Sequence, residues 1–198
     1  MQKIKIFFLF LLLIFSLPSP ALCKERVITS PETWSRSFEN YLFNLGSVTG
    51  KFSQIDQIGR ITKGSFWSNG KGSIKFNYDP PSTLLIVIKD GIFLIREGSD
   101  NSISRYSIKE NPLSKLFSKE FSLKSFVVNE IEIKGGIGTM ELRTKKDSVR
   151  NSIILTGDYP KPLLRQWKLI DSQNKETLVF FSKIRKFDFL DESFFNID

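Results

Sequence analysis

Apolar and polar residues alternate through most of this chain, most clearly between Gly64 and Ile88. From Ser73 to Tyr78, Ile74, Phe76 and Tyr78 take one side and Ser73, Lys75 and Asn77 the other. A period of two marks a strand with one dry face. A short aromatic strand, Gly64–Ser68, precedes it. Asn69-Gly70 between them predicts a two-residue hairpin, because both residues tolerate positive φ. Asp79-Pro80-Pro81 stops the run, since proline brings no N–H to a ladder. Leu84–Ile88 is apolar without alternation, which predicts a strand covered on both faces or lying at the centre of a sheet.

The same signals recur along the chain. Val48–Gln57 and Arg60–Ser68 flank Ile58-Gly59. Asp90-Gly91 predicts a tight turn between Leu84–Ile88 and Ile92–Arg96. After a turn at Ser99–Ser102 comes Ile103–Ile108. Phe126–Ile133 and Ile137–Arg143 flank Gly135-Gly136, and Lys145-Lys146-Asp147 turns the chain into Ser152–Thr156. Beyond Pro160 and Pro162, Leu164–Ile170 and Thr177–Ile184 form a last hairpin around Asp171–Lys175. No helix interrupts the first meander, so sequential strands are expected to pair antiparallel.

Two segments read as helix. Ser30-Pro31-Glu32 supplies an N-cap, a proline at the first helical position and an acidic first turn. Trp34, Phe38, Tyr41, Leu42 and Leu45 follow as one apolar stripe, with Gly46 as the stop. Asn111-Pro112 starts a second, shorter piece, in which Leu113, Leu116 and Phe117 share one dry face. It is too short to stand alone, so it must dock, and it undocks cheaply. Ser122–Ser125 is expected to add another turn, and Leu190–Phe195 a closing one.

Composition narrows the class. The chain has 198 residues, enough for one domain with a core. Lys3 and Lys5 precede the apolar run Ile6–Phe15 and then Pro18, Ser19, Pro20 and Ala21. This predicts a secretory leader over residues 1–23, removed near Ala21 or Cys23, and one domain over 24–198. A lipid-modified Cys23 is the rival reading, but Leu22 stands where such signals take a small residue. One cysteine allows no internal disulfide. The net charge is +8, or +6 once Lys3 and Lys5 are removed. The lysines are scattered, so solubility explains them better than a nucleic-acid patch.

Candidate chemistry is sparse. There is no histidine, which removes the usual base near neutral pH and the commonest metal ligand. Gly64 to Gly72 fails as a phosphate loop, with wrong spacing and Gly72 where Ser or Thr is required. Glu130 with Glu132, and Asp188, Asp191 and Glu192, are the carboxylate clusters. Such pairs can run glycoside hydrolysis, but a solvated strand face and a helix start explain them more simply. The residues thus describe an exported, antiparallel β-rich protein with two helical covers. No catalytic residue, metal ligand or cofactor is expected, and a ligand-carrying cavity fits better than an active site.

Several stretches together resemble one family. Phe66-Trp67, Phe76 and Tyr78 before Pro80-Pro81, then Leu84–Val87, are one group. Lys89-Asp90-Gly91, and Arg105-Tyr106 ahead of Asn111-Pro112-Leu113, are another. Leu164 to Lys168 through Asp171, Thr177 and Phe194-Phe195 complete the set. In this order, from about Pro31 to Asp198, they resemble the outer-membrane lipoprotein carrier proteins. The resemblance implies a curled, unclosed antiparallel sheet, an incomplete barrel with a helical lid over a hydrophobic cavity. It implies a monomeric periplasmic carrier that binds lipoprotein acyl chains and is not an enzyme. Cargo would come from an inner-membrane ATP-driven lipoprotein-releasing complex and leave to an outer-membrane lipoprotein acceptor. The expected cavity and lid residues are Trp34, Phe38, Leu42, Ile74, Phe76, Tyr78, Leu113, Leu116 and Phe117. One departure stands out. The family has Arg-Pro in the hairpin that here reads Gly70-Lys71, and that arginine holds the lid to helix backbone; Lys71 offers a point charge without the planar fork. A periplasmic lipid-binding sensor of the same architecture, acting by binding another protein, is the alternative function.

Overall fold

A computed structural model describes residues 30–98, 102–108, 111–116, 121–145 and 151–197. The predicted leader with Cys23 lies outside the described residues, as do Phe117 and Lys146-Asp147. The first helix, α1, is Pro31–Phe43, and six strands follow: β1 Val48–Ile55, β2 Ile61–Ser68, β3 Ile74–Tyr78, β4 Leu85–Lys89, β5 Ile92–Arg96 and β6 Ile103–Ser107. A short helix α2, Pro112–Leu116, and a 3-10 turn, Leu123–Ser125, precede the second set. That set is β7 Phe126–Lys134, β8 Ile137–Thr144, β9 Ser152–Asp158, β10 Leu164–Ile170 and β11 Glu176–Lys186. A last 3-10 turn spans Glu192–Phe195.

All eleven strands form one antiparallel sheet, in the order β6-β5-β4-β3-β2-β1-β11-β10-β9-β8-β7. It is two meanders joined where the first strand pairs with the last, Phe52 opposite Phe181. The outermost strands, β6 and β7, do not pair, so the sheet is curled but not closed. The fold is thus mainly antiparallel sheet with helix over its concave face, as the resemblance implies.

Register decides the faces. Gly64–Tyr78, Phe66–Phe76 and Phe76–Ile86 are cross-strand pairs, so Phe66 joins Ile74, Phe76 and Tyr78 on the concave side. Trp67, Lys75 and Val87 form a row on the convex side. Val87 is nonetheless fully buried, because the C-terminal segment crosses above this row. Phe194 packs edge-on to Trp67 at 5.7 Å, and Lys75 Nζ donates to the Phe194 carbonyl. Glu192 accepts from Asn69 Nδ2 and Ser73 Oγ and lies 3.7 Å from Lys89 Nζ. The unbroken apolar run at β4 is therefore covered on both faces.

The β2–β3 hairpin departs from the two-residue expectation. Ser68 pairs with Ile74, leaving Asn69 to Ser73 as the loop. The Asn69 side chain accepts from the backbone N–H of Lys71 and of Ser73 and holds a longer turn. A second glycine, Gly72, takes positive φ beside Gly70, so the dipeptide signal was read without its partner. At α1, Ser30 accepts from Thr33 N as the expected N-cap. The helix stops at Phe43 with Asn44 as cap, and Gly46, at φ +68°, then turns the chain into β1.

Helix α1 sits on the concave face through two facing glycines. Gly138 of β8 pairs with Gly157 of β9. A Cβ on Gly138 would stand 2.3 Å from the Trp34 ring, and one on Gly157 2.9 Å from Phe38. The missing side chains form a slot for both rings, which are fully buried. Trp34 Nε1 donates to the Asp158 carbonyl at 2.9 Å, satisfying the one polar atom the slot covers. Gly138→Val should therefore expel Trp34 and cost about 3 kcal/mol. Urea unfolding measures it, and an unchanged midpoint would mean that the slot does not seat the helix.

Candidate functional site

The concave face carries six rings in mutual contact. Phe66 lies edge-on to Phe181 at 5.1 Å, and Phe181 to Trp167 at 4.7 Å. Trp167 meets Phe76 at 5.9 Å, Phe76 meets Phe52 at 5.1 Å, and Phe52 meets Tyr78 at 4.9 Å. These angled contacts are the preferred geometry for aromatic pairs. Glycines make room for them. Gly50 stands opposite Phe66 and Gly64 opposite Phe52, so each ring lies over a cross-strand position with no side chain.

Two cavities remain on either side of Trp167. One, of about 80 Å³, lies between Leu42, Val48, Phe66, Ile74, Leu116 and Phe181. The other, of about 240 Å³, lies between Phe76, Tyr78, Ile86, Leu113, Leu169 and Val179. Both have Trp167 in their walls. Helix α2 reaches both, placing Leu116 at the first and Leu113 at the second. Side chains close-pack most of the space between, so the structure is that of a protein filled with its own residues.

The two covers are held differently. Trp34, Phe38 and Tyr41 stack along α1, at 5.0 and 5.9 Å between successive rings. Trp34 and Phe38 occupy the glycine slot and line neither cavity; only the last turn, with Leu42, reaches one. Helix α2 has five residues. Around it, Leu113 N donates to Asn111 Oδ1 and Lys115 Nζ to the Ser125 carbonyl. Glu39 ties α1 to the 3-10 turn before β7 by accepting from Ser122 Oγ and Leu123 N.

Of the residues expected from sequence, Leu42, Ile74 and Leu116 meet at one cavity and Phe76, Tyr78 and Leu113 at the other. Trp34 and Phe38 meet each other in the slot, and Phe117 lies outside the described residues. Sequence reasoning missed Phe52, Phe66, Trp167, Val179 and Phe181 as lining or framing residues. The alternation of Val179 and Phe181 against Phe180 and Ser182 carried the signal for β11. The ring contacts that unite the two meanders become visible only once β1 is known to pair with β11.

At the mouth, a Cβ on Gly70 would stand 2.5 Å from the Gly46 carbonyl oxygen. The hairpin thus touches the loop after α1 backbone to backbone, and a side chain at this position has no room. Lys71 turns to the C-terminal segment, with its amino group 5.7 Å from the centroid of the Phe189 ring. The acidic clusters are accounted for structurally. Glu130 and Glu132 are exposed on β7. Asp191 caps the last turn through Ser193 N, which holds its carboxyl below the usual range, and Glu192 fastens the C-terminal segment. Among the described residues, no group of three or more His, Cys, Asp or Glu is placed to hold a metal. No described helix is long and apolar enough to cross a membrane.

Comparison with known proteins agrees with this architecture. The model of the family described as outer membrane lipoprotein carrier protein LolA matches residues 44–198. An uncharacterized protein of Rickettsia prowazekii is 26% identical over 153 residues, covering 76% of this chain and 71% of that protein. A LolA superfamily protein of Nitrosomonas europaea superposes with a TM-score of 0.52 at 10% identity, over 85% of this chain and 98% of the other. A putative outer membrane lipoprotein-sorting protein domain of Vibrio parahaemolyticus gives 0.51 at 12% identity, over 84% and 97%. These two structures share the fold.

Two outcomes follow from the site. Helix α2 should exchange its amide protons faster than β4, because a five-residue helix has little to hold it; equal protection of 112–116 and 85–89 would mean that α2 does not open by itself. Tyr78 donates to Gln54 Oε1 at 2.7 Å, and burial pushes its pKa up to about 12 from 10.0. The raised value favours the neutral form when folded. That stabilisation is complete below pH 10 and is lost as pH rises towards 12, about 3 kcal/mol in all. Tyr78→Phe should flatten the stability curve in that window, and an unchanged alkaline slope would sink the assignment.

Proposed function

The chain belongs to the outer membrane lipoprotein carrier protein (LolA) family, and we propose that it is a periplasmic carrier that shuttles lipoproteins from the inner to the outer membrane. The observation that carries this reading is the pair of apolar cavities flanking Trp167 beneath a five-residue helix. Acyl chains enter there when α2 lifts. Leu42, Ile74, Phe76, Tyr78, Leu113 and Leu116 contact them. Trp34 and Phe38 keep α1 seated meanwhile.

Each methylene taken out of water is worth about 0.8 kcal/mol. Several acyl chains therefore cost tens of kcal/mol in water, and a lipoprotein needs shelter to cross an aqueous compartment. Release must also be possible. The empty protein packs its own rings and lid residues into the space, so cargo replaces contacts instead of adding them. Direction then comes from the partners, an ATP-driven releasing complex at the inner membrane and an acceptor at the outer membrane. Binding, not catalysis, is the task in this reading.

Mass spectrometry of the protein purified from the periplasm tests the reading, with bound lipoprotein or acyl lipid expected. A stable complex with a membrane regulator and no lipid would favour the sensor. Filling the larger cavity is the sharper test. Val179→Phe should keep or raise stability, as cavity-filling changes commonly do, yet lower uptake of a fluorescent fatty acid at least about tenfold, the equivalent of 1.4 kcal/mol. Unchanged uptake in a folded variant would place the cargo elsewhere.

A further inference from the structure

The structure assigns a second part to this site: a groove for the anionic headgroup of a lipid, at Lys183 and Lys186 beside the acyl cavities. The assignment goes beyond the carrier reading: the acylated cysteine of a lipoprotein carries no phosphate headgroup, so an anionic phospholipid is a further ligand of the same apolar space. The groove measures about 370 Å³. Its floor includes Leu45, Val48, Leu164 and Phe181, and each of these also lines the smaller cavity. An apolar wall thus runs from the open groove towards Trp167. The rim carries Arg165, Lys183 and Lys186, and no carboxylate is among the lining residues. Asp158 neutralises Arg165 through two hydrogen bonds. Lys183 and Lys186 are both exposed and form no salt bridge among those described.

The backbone gives an independent reason to single out Lys183. Thr49 pairs with Arg185 and Lys51 with Ser182, so Gly50 alone faces Lys183 and Ile184. This is a β-bulge, a device that re-aims a side chain. Lys183 has φ +52°. The other described non-glycine residues with positive φ are Asp90 and Asn174, residue types that tolerate this region. Lysine has no such tolerance, and glycine is the usual occupant of a bulge position of this kind. Strained residues cluster at functional sites. Lys183 lines a groove whose floor is apolar. A phosphate with acyl chains attached matches that pairing of cationic rim and apolar wall.

Calorimetric titration with two soluble short-chain lipids tests the inference: dihexanoyl phosphatidylglycerol, anionic, and dihexanoyl phosphatidylcholine, with no net charge. The protein should bind the anionic lipid about tenfold more tightly at low salt, and less so as salt rises. Lys183→Gly combined with Lys186→Ser should abolish the preference while affinity for phosphatidylcholine stays. Glycine suits the bulge, so the thermal midpoint of Lys183→Gly should be equal to or above the parent's. A lower midpoint would make Lys183 a structural residue and overturn the argument from strain. Equal affinity of the parent for both lipids would overturn the headgroup site and leave the carrier reading intact. Binding of neither would overturn the headgroup site, while fatty-acid uptake still decides the carrier reading. A preference that survives in the double variant would place the headgroup elsewhere, and inorganic phosphate binding as tightly as the anionic lipid would show an anion site without a lipid.

Discussion

Phe76 on β3 and Trp167 on β10 touch across the inside of the sheet, with centroids 5.9 Å apart, although β2, β1 and β11 lie between their strands. That contact requires the sheet to curl sharply, and a sheet twists in a fixed direction but curls only where side chains let it. The room is made by Gly50 and Gly64, which leave the rings of Phe66 and Phe52 nothing to climb over. The curl in turn creates a concave face too wide to be filled by its own strands and too narrow to admit a second sheet. Helices have to cover it. The aromatic bridge thus sets both the demand for a cover and the depth of the space beneath.

The covers answer that demand in two ways. Helix α1 is fixed by a slot cut to the shape of two rings, and its indole N–H is satisfied by a carbonyl at the rim. Lifting it would expose two large aromatic side chains at once, each worth roughly 1.5–3 kcal/mol of burial. Helix α2 offers Leu113 and Leu116 and a few hydrogen bonds. A site that exchanges apolar cargo needs such asymmetry. One element must hold the sheet's shape while another leaves, or opening the cavity would unfold the protein.

How much of this was legible beforehand depended on the range of the interaction. The strands follow from a two-residue period, and all eleven lie close to their expected places. Ser30-Pro31-Glu32 marked the start of α1 because capping is local. The loop at Asn69 was misjudged because its length is set by a side-chain hydrogen bond four residues away. Phe76 and its neighbours were legible by alternation. Trp34 and Phe38 are expected among the cavity and lid residues, since an apolar stripe says that a helix is covered but not by what. Their true neighbours, Gly138 and Gly157, are two short stretches of sequence in which nothing is conspicuous until register sets them side by side. Trp167 and Phe181 were missed as framing residues for the same reason.

The convex face is fastened by polar contacts. There Glu192 gathers two hydrogen bonds and a lysine, and Phe195 is fully buried. These anchors reach the β2–β3 hairpin, β3 and the end of β4, the very strands whose other face lines the cavities. Each strand of that region is therefore pinned from behind while its front is free to change partners. On the other side the hairpin meets the loop after α1 through the Gly46 and Gly70 backbones and a 3.5 Å hydrogen bond from Ser47 Oγ to the Asn69 carbonyl. The polar fastening at the back thus holds these strands in place independently of what packs against their apolar front.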